Sequence, residues 1–243
     1  AQAFIARYAD LAWEQVGRTD DVTRREELAR IAENCAWLSL HPPRNFWEAL
    51  QATWFLFCLL QIESNASSFS PGRLDQVLLP YVERDLGEGR LTLAEAQELL
   101  EHLWLKFNEV VLLRSSASAH YFAGFPIGFN VVLGGTKCEG QDATNLVSYM
   151  CLRAQADLGL TQPNLSIRIH KESPQDFLMA AAQVIAQGSG MPQVFDDEVI
   201  IPGQIARGVS PADARNYAVV GCVELSTPAK ALGWSDAAMF NMV

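Results

Sequence analysis

The sequence is poor in the residues from which metal and disulfide sites are built. Its five cysteines (Cys35, Cys58, Cys138, Cys151 and Cys222) and four histidines are scattered, with no metal-ligand spacing among them. An odd cysteine number in 243 residues argues against a disulfide framework and for a reducing compartment. Basic residues are outnumbered, 18 Lys and Arg against 28 Asp and Glu, for a formal net charge of -10. That deficit argues against a nucleic-acid or anionic-membrane surface as partner. No apolar run reaches membrane length: the longest, Ala52 to Leu60, is too short to span a bilayer and predicts a helix buried on most sides. Arg7, Asp10 and Glu14 interrupt the first apolar residues, so no signal peptide opens the chain, and the predicted location is cytoplasmic. Walker and dinucleotide fingerprints are missing too. Gly134-Gly135 reads as a strand-ending turn, and Gly188-Ser189-Gly190 as a helix stop.

What is present is material for a core. A hydrophobic content of 49% with mean hydropathy +0.06 suits one α/β domain, or a large piece of one. The chain has no initiator Met and begins inside a helical pattern. It stops at Val243, shortly after Asp236 opens another helix, so we expect an internal segment of a longer polypeptide.

The first part reads as helical. Thr23-Arg24-Arg25-Glu26 is a capping-box pattern ahead of Leu28, Ile31, Ala32 and Cys35. Asn45 with Glu48 starts the apolar helix, predicted to about Gln61, and a polar stretch from Glu63 to Gly72 follows as a candidate site loop or a solvated connection. Thr92-Leu93-Ala94-Glu95 caps a helix predicted to about Leu113. From there strands alternate with helices. Strands are expected at Asn130–Gly135, Leu165–Ile169 and Met191–Phe195, and in the run into Cys222. Helices are expected from Asp142–Asn145 to Leu158, over Pro174–Ala186, and near Val199 and Ala212. That order predicts parallel βαβ units with working loops at the strand ends.

The most informative stretch is Gly221-Cys222-Val223-Glu224, after the apolar run Tyr217 to Val220. If the backbone stays extended past Gly221, Cys222 and Glu224 project to one side, since side chains alternate with a period of two. Free cysteines are commonly small buried hydrophobes, so a core role stands beside the functional one. A carboxylate disfavours a neighbouring thiolate, which works against ordinary nucleophilic catalysis. The pair suits chemistry in which sulfur moves hydrogen atoms and the carboxylate moves protons. His120 and His170 each stand alone and read as structural; Asp236 reads as an N-cap or as a group pointing into the site.

Gly221-Cys222-Val223-Glu224 followed by Gly233-Trp234-Ser235-Asp236-Ala237-Ala238-Met239-Phe240-Asn241 resembles the cysteine-loop signature of glycyl radical enzymes. The resemblance is to the pyruvate formate-lyase-like family, in its dehydratase and eliminase branch. Glu63-Ser64-Asn65 with Ser70-Pro71-Gly72-Arg73, Asn130 to Gly135 with Asp142 to Asn145, and Gln162 to Ser166 agree in order and kind. It implies that residues 1–243 are a central fragment of the family domain, lacking the C-terminal glycyl radical domain. The implied fold is α/β: part of a ten-stranded β/α barrel of parallel half-barrels, with an N-terminal helical region.

The resemblance also implies roles. Cys222 would hold a thiyl radical and Glu224 would be the base that takes a hydroxyl proton. Asp236 and Ser68 would bind the substrate, and no metal is implied. The cofactor would be a protein-derived glycyl radical, on a glycine outside the chain, installed by an S-adenosylmethionine radical activase. The implied partners are a small hydroxylated substrate, that activase and, at full length, a second copy. Val223 stands where pyruvate formate-lyase carries a second cysteine, which ranks formate acetyltransferase chemistry below dehydration. Ser67, Leu225 and Ser235 replace a histidine, a proline and a histidine of the dehydratase pattern. From a different class, a non-catalytic scaffold would leave Cys222 as core; a hydrolase with a cysteine nucleophile lacks a placed histidine.

Overall fold

Helix-start chemistry organises the first half of the chain. The computed structural model describes residues 1–64, 68–110, 115–117, 120 and 128–231. Helix α1 (Gln2–Val16) buries Ile5, Ala9 and Ala12, one stripe at helical spacing. Helix α2 (Val22–Leu38) is capped by Asp21, whose carboxylate accepts from the Arg24 N–H at 2.9 Å. The expected capping box at Thr23 is therefore displaced: Asp21 already satisfies the first free donor, and Thr23 falls inside the first turn. Helix α3 (Phe46–Ser64) starts where expected, with the Asn45 side chain accepting from the Glu48 N–H at 2.9 Å.

Two apolar clusters meet on α3. Phe46, Ala49, Leu50 and Phe57 enter the main core, while Phe55 joins Ile5, Ala9, Cys35 and Leu38. A third face is open, with Leu56 and Ile62 exposed, so burial on most sides holds for two faces only. Helix α4 (Leu74–Gly87) is not among the expected elements. Pro80 obscures the i, i+4, i+8 spacing of its buried Leu74, Leu78 and Val82. Helix α5 (Leu93–Phe107) carries the predicted capping box: Thr92 Oγ1 accepts from the Glu95 N–H at 3.2 Å, and Glu95 Oε2 from the Thr92 N–H at 2.7 Å. It ends before the expected Leu113, because Asn108 Nδ2 turns back to the Trp104 carbonyl at 2.9 Å and ties the end to the Gln162 carbonyl at 2.7 Å.

Strands β1 (Asn130–Gly134), β2 (Asn164–Ile169) and β3 (Gln193–Asp196) form a parallel sheet in that order. Helices α6 (Leu146–Leu158) and α7 (Gln175–Ala186) make the crossovers, as the alternation predicted. Helices α8 (Asp197–Ala206) and α9 (Pro211–Arg215) lead to an antiparallel hairpin of β4 (Ala218–Val220) and β5 (Glu224–Ser226).

The two sheet faces differ in chemistry. Val131, Leu133, Leu165 and Ile167 point into the helical core, where Phe57, Phe107 and Phe129 pack with centroids 4.5 to 5.2 Å apart. By the period of two, Asn130, Val132, Ser166 and Arg168 share the other face. There Val132 packs on Ala218 and Val219 of β4. A polar face buried under a hairpin is the feature that positions the site.

Candidate active site around the cysteine hairpin

The hairpin pairs Val220 with Glu224, leaving Gly221-Cys222-Val223 as the turn. Gly221 has φ +61°, so the backbone does not stay extended there. The alternation argument that placed Cys222 and Glu224 on one side of a strand is corrected by this glycine. Instead, Cys222 is exposed at the hairpin tip and Glu224 is the half-buried first residue of β5. Cys222 is the exposed thiol of the five, which removes the reading of it as core. Burial pushes the thiols of Cys35 and Cys58 up to about 11, and raises that of Cys151 well above the ordinary thiol value.

Ser68 meets the same turn. A Cβ on Gly221 would lie 2.9 Å from Ser68 Oγ and 3.1 Å from its Cβ, so only glycine fits. Ser68 itself has φ +77°, a left-handed conformation costly for a residue other than glycine. On the far side, a Cβ on Gly128 would stand 3.9 Å from Cys222 Sγ. The structure thus brings Ser68 together with the cysteine turn. Asp236, with the rest of the expected signature after Ala231, lies outside the described residues.

Residues without an assigned role hold this turn in place. Ser70 Oγ accepts from the Gly221 N–H at 3.1 Å and from the Asn130 N–H at 2.9 Å, and donates to the Ser68 carbonyl at 3.0 Å. Asn130 Nδ2 donates to the Gly221 carbonyl at 3.3 Å. At the other end of the sheet, fully buried Arg168 forms a two-point ion pair with Asp197, Nε–Oδ1 2.9 Å and Nη2–Oδ2 2.8 Å. Its Nη1 and Nη2 also reach the carbonyls of Tyr217 and Arg215, both at 2.9 Å, and its guanidinium lies 3.8 Å over the Tyr217 ring. Arg73 adds a bond to Asn216 Oδ1 at 3.2 Å; burial, then the charge of Arg168, lowers its pKa to about 10. The chain entering β4 is gripped by two buried cations. One clue to this was legible: a charge in the apolar run Leu165–Ile169 is expected to be paired.

Gly134-Gly135 is the predicted turn, and its constraint is specific. A Cβ on Gly135 would lie 2.6 Å from Arg168 Nε. His170, expected to stand alone, has its Nε2 2.9 Å from Asp142 Oδ1. A cleft of about 260 Å³ opens at the C-terminal ends of the strands, lined by Thr136, His170, Asp197 and Arg215 among others. It lies at the opposite end of the sheet from Cys222. Asp197 is committed there to Arg168, Tyr217 and Thr136, and Arg215 to the Cys138 carbonyl.

Comparison with known proteins identifies relatives of the chain. The probable dehydratase YbiW of Escherichia coli is 44% identical over 93% of the chain and 28% of its own length. The solved glycerol-bound form of the B12-independent glycerol dehydratase from Clostridium butyricum superposes with TM-score 0.92 at 42% identity, covering 96% of this chain and 29% of that one. A glycyl radical enzyme from Archaeoglobus fulgidus gives TM-score 0.88 at 37% identity, over 93% of this chain and 29% of its own. The chain therefore spans under a third of the length of the relatives it matches. With its exposed cysteine turn, its parallel sheet and a family match over residues 1–243, this chain belongs to the pyruvate formate lyase-like family.

Proposed function

We propose that this chain is the cysteine-bearing segment of a glycyl radical lyase that dehydrates, or otherwise eliminates from, a small hydroxylated substrate. The observation that carries the reading is the exposed Cys222 turn with Ser68 against it, in a chain 42% identical to a glycerol dehydratase. In the whole protein the sheet would form part of a ten-stranded barrel, residues 1–243 lying within the family domain and the glycyl radical domain following it. An S-adenosylmethionine radical activase and a second copy of the protein would be its partners.

The radical is supplied by a protein-derived glycyl radical outside the chain. That glycyl radical would take the hydrogen of the Cys222 S–H, closing its own C–H and leaving the unpaired electron on sulfur, and an exposed turn suits this delivery from another segment. The Cys222 sulfur then takes a hydrogen atom from the hydroxyl-bearing carbon: C–H breaks, S–H forms and the unpaired electron moves to carbon. Glu224 accepts the hydroxyl proton, which makes the carbon radical a stronger electron donor to its neighbour. The β group leaves with its bonding pair, as hydroxide that becomes water when it receives the proton Glu224 took. The product radical recovers its hydrogen from the Cys222 thiol. Ser68 and Asp236 hold the substrate, and the protein's share is placement and shielding.

Anaerobic activation of the full-length polypeptide, followed by a screen of small diols and related hydroxylated compounds, tests the reading. Cys222→Ser should abolish turnover. Glu224→Gln should lose turnover by about 100-fold or more while the radical still forms, in the range of general-base loss. Unchanged turnover in Glu224→Gln would count against elimination by this pair.

A further inference from the structure

We propose that Ser70, with Asn130, is a positioning residue that sets the register of the cysteine turn and so aims the reacting sulfur. The inference rests on the reading of Cys222 as the hydrogen-abstracting group. A hydroxyl has one proton to give and two lone pairs to fill. Ser70 Oγ uses all three, toward the Gly221 N–H at 3.1 Å, the Asn130 N–H at 2.9 Å and the Ser68 carbonyl at 3.0 Å. One oxygen thereby ties together segments 60 and 151 residues from Ser70 in sequence. Asn130 Nδ2 holds the remaining polar group of Gly221, its carbonyl, at 3.3 Å.

Both backbone groups of the residue before Cys222 are thus fixed from outside the hairpin. The hairpin cannot do this for itself, having only three residue pairs, and isolated two-stranded ribbons are marginal. Nor could a larger residue replace Gly221, since a Cβ there would stand 2.9 Å from Ser68 Oγ. Ser70 is bonded both to the residue before the cysteine and to Ser68, so it sets the spacing between sulfur and substrate contact. Losing its hydroxyl releases the turn while leaving the apolar core untouched.

The test uses the full-length enzyme activated anaerobically, with Ser70→Ala, Ser70→Thr, Asn130→Asp and Cys222→Ser compared with the parent. Melting temperature and glycyl radical yield by electron paramagnetic resonance are followed in each. We expect Ser70→Ala to keep the parental radical yield and to lose kcat by about 10- to 100-fold, the scale of an ångström's misplacement, with KM little changed. The primary deuterium isotope effect on kcat should rise as hydrogen abstraction becomes limiting, and Ser70→Thr should restore most of the rate. Asn130→Asp, which sets a carboxylate against the Gly221 carbonyl, should show the same split. Parental kcat in Ser70→Ala overturns the proposal. So does a loss that follows melting temperature in both Ser70→Ala and Asn130→Asp and is not rescued by threonine. Turnover surviving in Cys222→Ser defeats the underlying reading, whereas an inactive Cys222→Ser beside a normal Ser70→Ala defeats the positioning role alone.

Discussion

Single side chains in this protein are distinguished by what surrounds them more than by type. Five cysteines carry the same thiol, yet burial lifts Cys35 and Cys58 to about 11 and raises Cys151 well above the ordinary thiol value, while Cys222 stands exposed. A thiol with a pKa near 11 holds only about one part in a thousand as thiolate at pH 8, and the thiolate is the reactive form. Brief treatment of the 243-residue chain with iodoacetamide at pH 8 should therefore label Cys222 well before Cys35, Cys58 or Cys151. Peptide mass spectrometry reads the order, and early labelling of Cys35 would contradict the burial described for α2. Glycine is equally contextual. Gly135 cannot gain a methyl group without displacing the guanidinium of Arg168, whereas Gly159 has nothing within 4 Å.

At the scale of elements, the cysteine hairpin is held less by its own pairs than by the sheet beneath it. Arg168→Met should cost about 3 to 5 kcal/mol, since it leaves Asp197 buried without its partner. Urea unfolding monitored by circular dichroism would measure this, and a loss below about 1 kcal/mol would mean the pair is no more than a surface-grade interaction. Most of these elements were legible in the sequence, because helix caps and strand runs are local signals. Thr92 with Glu95, Asn45 with Glu48, and the apolar run at Val131–Leu133 all formed as their patterns predicted. The failures have physical causes. Pro80 hid α4, and Asp21 took the cap expected of Thr23. The extended backbone supposed past Gly221 is instead a left-handed turn that reverses the chain. Cys222 stood out in the sequence because its flanking residues are distinctive. Ser70 was not singled out, since its bonding reaches 60 and 151 residues away and no local pattern announces that.

For the molecule as a whole, acid stability reflects a carboxylate sealed between helix α4, strand β1 and helix α6. Asp75 is fully buried, and burial raises its pKa from the ordinary 3.8 against the lowering effect of bonds from the Gly134 N–H and Ser148 hydroxyl. The folded state thus keeps a proton that the unfolded chain has released, so this group's contribution to stability declines as pH rises above 3.8 through its folded value. Compared with Asp75→Asn by urea titration, the parent should be relatively more stable at pH 4 than at pH 7; the opposite slope would show the carboxyl to be favoured in its ionised form by folding. The hairpin also ties distant parts together. Arg168 grips its entry at one end of the sheet, and Ser70 with Asn130 grips its turn at the other. A strand fastened at both ends has no slack to share. An insertion or deletion of one residue anywhere between Tyr217 and Gly221 would unseat one fastening or the other. Variation in this hairpin is thereby channelled into exchanging side chains and lengthening neighbouring loops, never into sliding the strand.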